Sequence, residues 1–299
     1  MGIALAVLSA VLYSANYILI QLGMRKSAKD NGDYLSLVAC VLTVFTVYAA
    51  SSAWRFDRGA IPFSMRGMLY FMLAGFCTAF LGRVFLLAGI RRIGSSRAAA
   101  LKNAAPIFTT LAAVLLLGER ISPGAGLGMA VIFAALFLQA VSDFRKSASL
   151  ERDRTRSGVA LALCSAVCFG LGQVARKQGV LDYADPLFGS LVGSVFALAV
   201  FTLLEAAKGR LAETWRRNFR RLNPYFIAAG AATGIAQISF FLSIMFTHVS
   251  YTSTVAALEP IFTVLLGKWL LGREEAITWR LGLTACSVFL GTYLIILAM

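Results

Sequence analysis

The chain repeats itself, and both copies are hydrophobic. Gly2–Tyr13 reads GIALAVLSAVLY and Gly158–Phe169 reads GVALALCSAVCF, identical at seven of twelve positions. Pro106–Gly118 reads PIFTTLAAVLLLG and Pro260–Gly272 reads PIFTVLLGKWLLG, identical at eight of thirteen. The offsets, 156 and 154 residues, nearly agree, so the 299-residue chain holds two copies of one unit. Apolar runs bounded by charges fall at 2–24, 34–54, 66–90, 96–117, 121–141, 157–180, 188–207, 223–247, 250–271 and 276–298. A helix needs about 20 apolar residues to cross a bilayer. Runs such as Val131–Val141 (VIFAALFLQAV) lack the alternation of a barrel strand. Five runs per copy is an odd number, so the second copy enters the membrane the other way up. The pattern predicts an all-α membrane protein with ten transmembrane helices in two inverted five-helix repeats. The repeats occupy residues 1–143 and 157–299, with a polar linker at 144–156. Secondary transporters share this plan and place their substrate near midplane between the repeats.

Composition excludes the other broad classes. With 59% hydrophobic and 14% charged residues and a mean hydropathy of +0.77, the chain is neither an ordinary soluble enzyme nor disordered. All five cysteines lie inside apolar runs, which implies no disulfide framework. The single histidine, His248, ends a run, so no Ser/His/Asp or Cys/His set is available. Neither an enzyme, a bound cofactor nor a metal site is expected. The net charge of +14 comes from short basic runs between spans, which suits the positive-inside rule and not nucleic acid. Loops after odd-numbered spans carry 19 Lys and Arg against six on the other side, which places both termini outside the cytoplasm. In the richest of these loops Leu211, Trp215, Phe219 and Leu222 share one helical face and four arginines fill the other. That segment is expected to lie on anionic membrane lipids.

Ala98–Arg120, AAALKNAAPIFTTLAAVLLLGER, resembles the signature of the EamA-type branch of the drug/metabolite transporter superfamily. The likeness is a small-residue start, a mid-span proline and a Gly-Glu-Arg close. Val255–Glu274 is similar, although its close reads Gly272-Arg273-Glu274. The resemblance covers the whole chain and implies ten helices around a central cavity, walled mainly by spans 1, 3, 4, 6, 8 and 9. It also implies cytoplasmic termini, the reverse of the charge count. Relatives export amino acids and drugs, or exchange nucleotide-sugars and phosphorylated sugars, by alternating access. Some are lipid or lipid-linked-sugar flippases, the alternative reading. A monomer or a homodimer is compatible with the small-residue spacings.

Ionisable residues inside a span are expensive and mark functional sites. Arg83 in span 3 and Lys102 in span 4 are expected to converge on an anionic group, with Asn103 as a neutral donor. Glu259, before Pro260 near the middle of span 9, is a candidate for proton coupling or for an ammonium group. Pro106 and Pro260 occupy matching positions where each repeat can bend or gate. Tyr13, Asn16 and Tyr17 in span 1, Gln173 in span 6 and Gln237 in span 8 are candidate substrate contacts. Arg176 and Lys177 are expected to snorkel at the end of span 6, and Tyr251 to sit at the interface. The expectation is a secondary active transporter of a small organic anion or zwitterion, such as an amino acid or a phosphorylated compound.

Overall fold

The computed structural model describes residues 1–26, 32–54, 63–93, 98, 101–145, 152–220, 222–271 and 279–298, and every regular element among them is helical. In chain order these are α1 (Gly2–Lys26), α2 (Asp33–Trp54), α3 (Met65–Gly75), α4 (Arg83–Ile93), α5 (Ala105–Leu117), α6 (Pro123–Arg145), α7 (Arg152–Asp182), α8 (Pro186–Ala207), α9 (Leu211–Phe219), α10 (Pro224–Phe246), α11 (Val249–Ala256), α12 (Glu259–Leu271) and α13 (Trp279–Leu297). A π-helical stretch, Phe76–Gly82, joins α3 to α4 without interrupting the span. Seven stretches are long and apolar enough to cross a bilayer: Gly2–Met24, Tyr34–Ser52, Met65–Ile90, Arg156–Asp182, Pro186–Ala207, Pro224–Phe246 and Val249–Gly267. Ala105–Leu117 and Pro123–Ala135 are shorter apolar helices. Leu115, Leu116, Phe137, Leu138, Leu203 and Phe289 are exposed on the outside of the bundle, where lipid solvates them.

Local chemistry sets the helix starts. Asp185 and Asn223 occupy N-caps, each followed directly by a proline, and their side-chain oxygens accept backbone N–H bonds from the first turn. Ser64 caps α3 through the Gly67 amide.

The packing shows an internal two-fold relation. α1 packs on α10, and α7 packs correspondingly on the α3–π–α4 span. α1 also meets α11 and α12, as α7 meets α5. α2 with α8 and α6 with α13 map onto themselves when the repeats are exchanged, and α2 with α10 maps onto α8 with α3. Small residues permit these approaches: a Cβ at Gly230 would strike the Ser36 carbonyl, and one at Gly189 would lie 2.6 Å from the Phe71 ring.

One end of the bundle gathers both termini. The Ser243 hydroxyl donates to the Gly2 carbonyl at 2.8 Å, and the Ser122 hydroxyl donates to that of Ala298 at 3.1 Å. Lys177 donates to the carbonyls of Ile244 and Thr247, closing the end of α10. Arg66 pairs with Asp182 at 3.2 Å at the same end. At the other end, Asn223 donates to the Gly23 carbonyl and Asn218 accepts from the Leu35 amide. This end carries α9, which packs Trp215 and Phe219 against Tyr34.

Candidate functional site

The two proline motifs break their helices in the same way. A proline cannot donate to the carbonyl four residues back, so Pro106 leaves Lys102 and Pro260 leaves Ala256 without that bond. The chain responds with a turn at Asn103–Ala104 before α5 and at Ala257–Leu258 before α12. The hydrogen bonds match atom for atom. The Ala104 amide donates to Leu101 and the Leu258 amide to Val255; the Ile107 amide donates to Ala104 and the Ile261 amide to Leu258.

One charge flanks each break. Lys102 is the last helical residue before the first, and Glu259 the first residue after the second. Their side chains meet at 3.7 Å across the repeats, each about 15% exposed (16% and 15%). The Tyr17 hydroxyl on α1 interacts with both members of the pair. Tyr17 keeps 38% of its surface open. The Ser14 hydroxyl lies 2.7 Å from the Glu259 carbonyl and 2.8 Å from that of Ala10, anchoring α12 to α1. On the far side, Lys102 stands 5.2 Å over the Phe169 ring of α7. Gly170 makes that approach possible: a Cβ there would lie 2.8 Å from Phe108 and 2.9 Å from the Thr109 amide of α5.

A second cation lies within reach. The structure places Arg176 not at the interface but buried, at 5% exposure. Helical side chains point back toward the N-terminus, and this one reaches Thr78 at the middle of the α3–π–α4 span, donating at 3.2 Å. Its guanidinium carbon lies 5.6 Å from the Phe240 ring centroid and 5.1 Å from that of Phe241. Tyr13 lies in the fields of Arg176, Glu259 and Lys102, so Tyr13 and Tyr17 of α1, one helical turn apart, face both charged groups. The contacts around Arg176 offset the cost of burying its charge. A central arginine costs about 2.5–3.5 kcal/mol on insertion scales. Two cation–π contacts at about 0.5–2 kcal/mol each and a charged hydrogen bond at about 1.5–3 kcal/mol offset it.

The sequence profile of the EamA-like transporter family matches residues 1–141 and again 156–297. The chain belongs to the EamA-like transporter family. An uncharacterized transporter of Bacillus subtilis, YcbK, is 29% identical over 116 residues, a stretch that spans 39% of this chain and 36% of that relative. A solved crystal structure superposes with a TM-score of 0.72 over 99% of this chain and 97% of its own at 14% identity, a likeness of fold. The protein is a multi-pass integral membrane protein built from two EamA units.

The first EamA unit's Gly-Glu-Arg close has a clear structural use. Gly118 ends α5 in the left-handed region (φ 65°), where a side chain would be strained. Glu119 then reaches the other repeat. Its buried carboxylate accepts the Val249 amide at 2.8 Å, the Ser250 amide at 3.3 Å and the Ser250 hydroxyl at 2.6 Å, with His248 at 3.5 Å. It caps the N-terminus of α11. The matching segment at 272–278 lies outside the described residues.

The remaining candidates scatter. Arg83 opens α4 after the π stretch, and its charge acts on Cys40 of α2, as does that of Arg176. Asn103 forms the first break, and Pro106 and Pro260 start the helices after it. Asn16 lies on α1 between the tyrosines. Gln173 lies one turn before Arg176, and its Oε1 is buried without a hydrogen-bond partner. Gln237 donates to the Ser190 carbonyl at 3.1 Å and to the Ser194 hydroxyl at 3.0 Å, tying α10 to α8. Tyr251 is not interfacial: it is 3% exposed, in an apolar cluster with Ala6, Ala10 and Ile132. Among the described residues no group of three His, Cys, Asp or Glu side chains is placed to hold a metal.

Proposed function

We propose that the protein is an alternating-access carrier for small organic metabolites bearing an acidic group, anionic or zwitterionic, with Glu259 able to respond to a proton or to a substrate ammonium group. The observation that carries this reading is the Lys102–Glu259 pair, which joins the broken helices of the two repeats. At 3.7 Å the pair is in ionic contact but looser than a hydrogen-bonded one. Rocking one repeat against the other changes the separation of the breaks, and with it the energy of this pair. A solute can drive such a change only by binding the two states differently. A solute charge that substitutes for Lys102 or Glu259 does so. Protonation of Glu259 weakens the same contact and offers a route to coupling. The prolines keep both breaks free of the bonds that would close them into continuous helices.

Reconstituted vesicles test this directly. Exchange of a labelled amino acid or phosphorylated compound is expected in the wild type, with acceleration by an imposed proton gradient. Glu259→Gln is expected to lose the gradient response, and Lys102→Met to lose at least nine-tenths of the exchange rate. Wild-type rates and gradient response in both variants would sink the reading.

A further inference from the structure

Arg176 is a buried cation within a membrane-spanning helix. Lys102 is answered by Glu259. Around Arg176 stand Thr78, Tyr13 and the faces of Phe240 and Phe241, and among the described residues no carboxylate lies within ion-pair distance. One guanidinium nitrogen, Nη1, is buried with no hydrogen-bond partner. One helical turn earlier, the buried Oε1 of Gln173 also lacks a partner. Buried polar atoms in folded proteins are overwhelmingly paired, and here two unpaired ones share a face of α7 with Phe169.

Resting on the carrier reading above, we infer that Arg176 docks the carboxylate of the transported solute, while the rest of the solute extends past Tyr13 toward Glu259. A guanidinium presents a planar fork of donors that fits a carboxylate. Here the fork lies beside the rings of Phe240 and Phe241, with Thr78 fixing one arm and Nη1 unpaired. A planar, singly charged acid answers the single charge. Lys102 then acts on Glu259 and not on the acid. Gly172 is part of this design: a Cβ there would strike the Thr78 methyl group and push the π stretch away from α7. The unfilled hydrogen bond of Gln173 accepts a donor, such as a solute ammonium or hydroxyl group.

The test is thermal stabilisation of the purified full-length protein by amino acids and simple monocarboxylates, each beside its carboxamide, with phosphate monoesters as a third arm. Acids are expected to stabilise the wild type and their carboxamides to bind at least tenfold more weakly. Arg176→Met should abolish the acid response. Arg176→Lys, which keeps the charge and loses the fork, should weaken it at least tenfold, and Thr78→Val several-fold. The wild-type comparison of acid with carboxamide needs no variant, so a misfolded Arg176→Met protein leaves the question decidable. The inference is overturned if carboxamides match acids, if phosphate monoesters alone bind, if no acid binds, or if acids bind Arg176→Met as they bind the wild type. Acid binding lost in Lys102→Met but kept in Arg176→Met moves the acid to Lys102 and leaves the carrier reading standing. A wild type that neither binds nor exchanges any compound of the three arms defeats both.

Discussion

Lys102 and Glu259 each hold the other in an environment that neither tolerates alone. Removing one member of a buried pair leaves the other uncompensated, at a cost of about 3–5 kcal/mol, whereas replacing both with neutral groups of similar shape is often harmless. The single variants Lys102→Met and Glu259→Gln are therefore expected to melt below the wild type. The double variant should melt above either single one and still transport nothing. A double variant no more stable than the singles, in a thermal melt followed by size exclusion, would mean that the 3.7 Å contact contributes no coupling. Both residues were legible in the sequence because a charge inside an apolar run stands out. Arg176 was not. Counting hydropathy ends span 6 near residue 180, which puts Arg176 at its margin, whereas α7 continues to Asp182 and the side chain folds back toward the helix N-terminus. The usable signal was Asp185-Pro186, an N-cap followed by proline, which fixes where the next helix starts and hence how far the previous one runs. Gln237 shows the opposite limit: a polar residue in mid-span does not reveal which neighbour its amide will choose.

At the scale of elements, the close of the family signature ties one repeat to the other. Glu119 follows the glycine that ends α5 and satisfies two backbone amides and one hydroxyl at the start of α11. Glu119→Ala strands those donors in a buried site, and each unsatisfied group costs about 1–3 kcal/mol. The variant is expected to melt several degrees lower while binding solute with wild-type affinity once folded. A melting temperature equal to the wild type would show that water replaces the carboxylate. The prolines announced the breaks, because the missing N–H fixes which carbonyl is released. The π stretch at Phe76–Gly82 has no such signature. Nothing in FCTAFLG distinguishes it from ordinary helix, and its extra residue turns Arg83 away from the heading an unbroken 3.6-residue count gives.

The whole molecule is organised by the exchange of repeats. Gly2, Ala298 and the starts of α3, α6, α8 and α11 lie at one end, as an even number of crossings requires. Tags at Met1 and Met299 should therefore be equally accessible in sealed vesicles of one orientation. Protection of one tag and exposure of the other would rule out the ten-span arrangement. The two-fold relation was legible from the matched segments alone. The choice of which end faces the cytoplasm was not, since the charge bias and the family resemblance oppose each other and packing within the bundle is indifferent to the membrane's sides.

The matched breaks differ in charge. By the repeat, Lys102 corresponds to Ala256 and Glu259 to Ala105, so each half carries only one member of the pair. Two first halves associated as a dimer would bring two lysines to the axis and no acid, and two second halves the converse. A single chain holding both copies can carry complementary charges at its two breaks, which a symmetric dimer cannot. Each half supplies the charge that the other lacks.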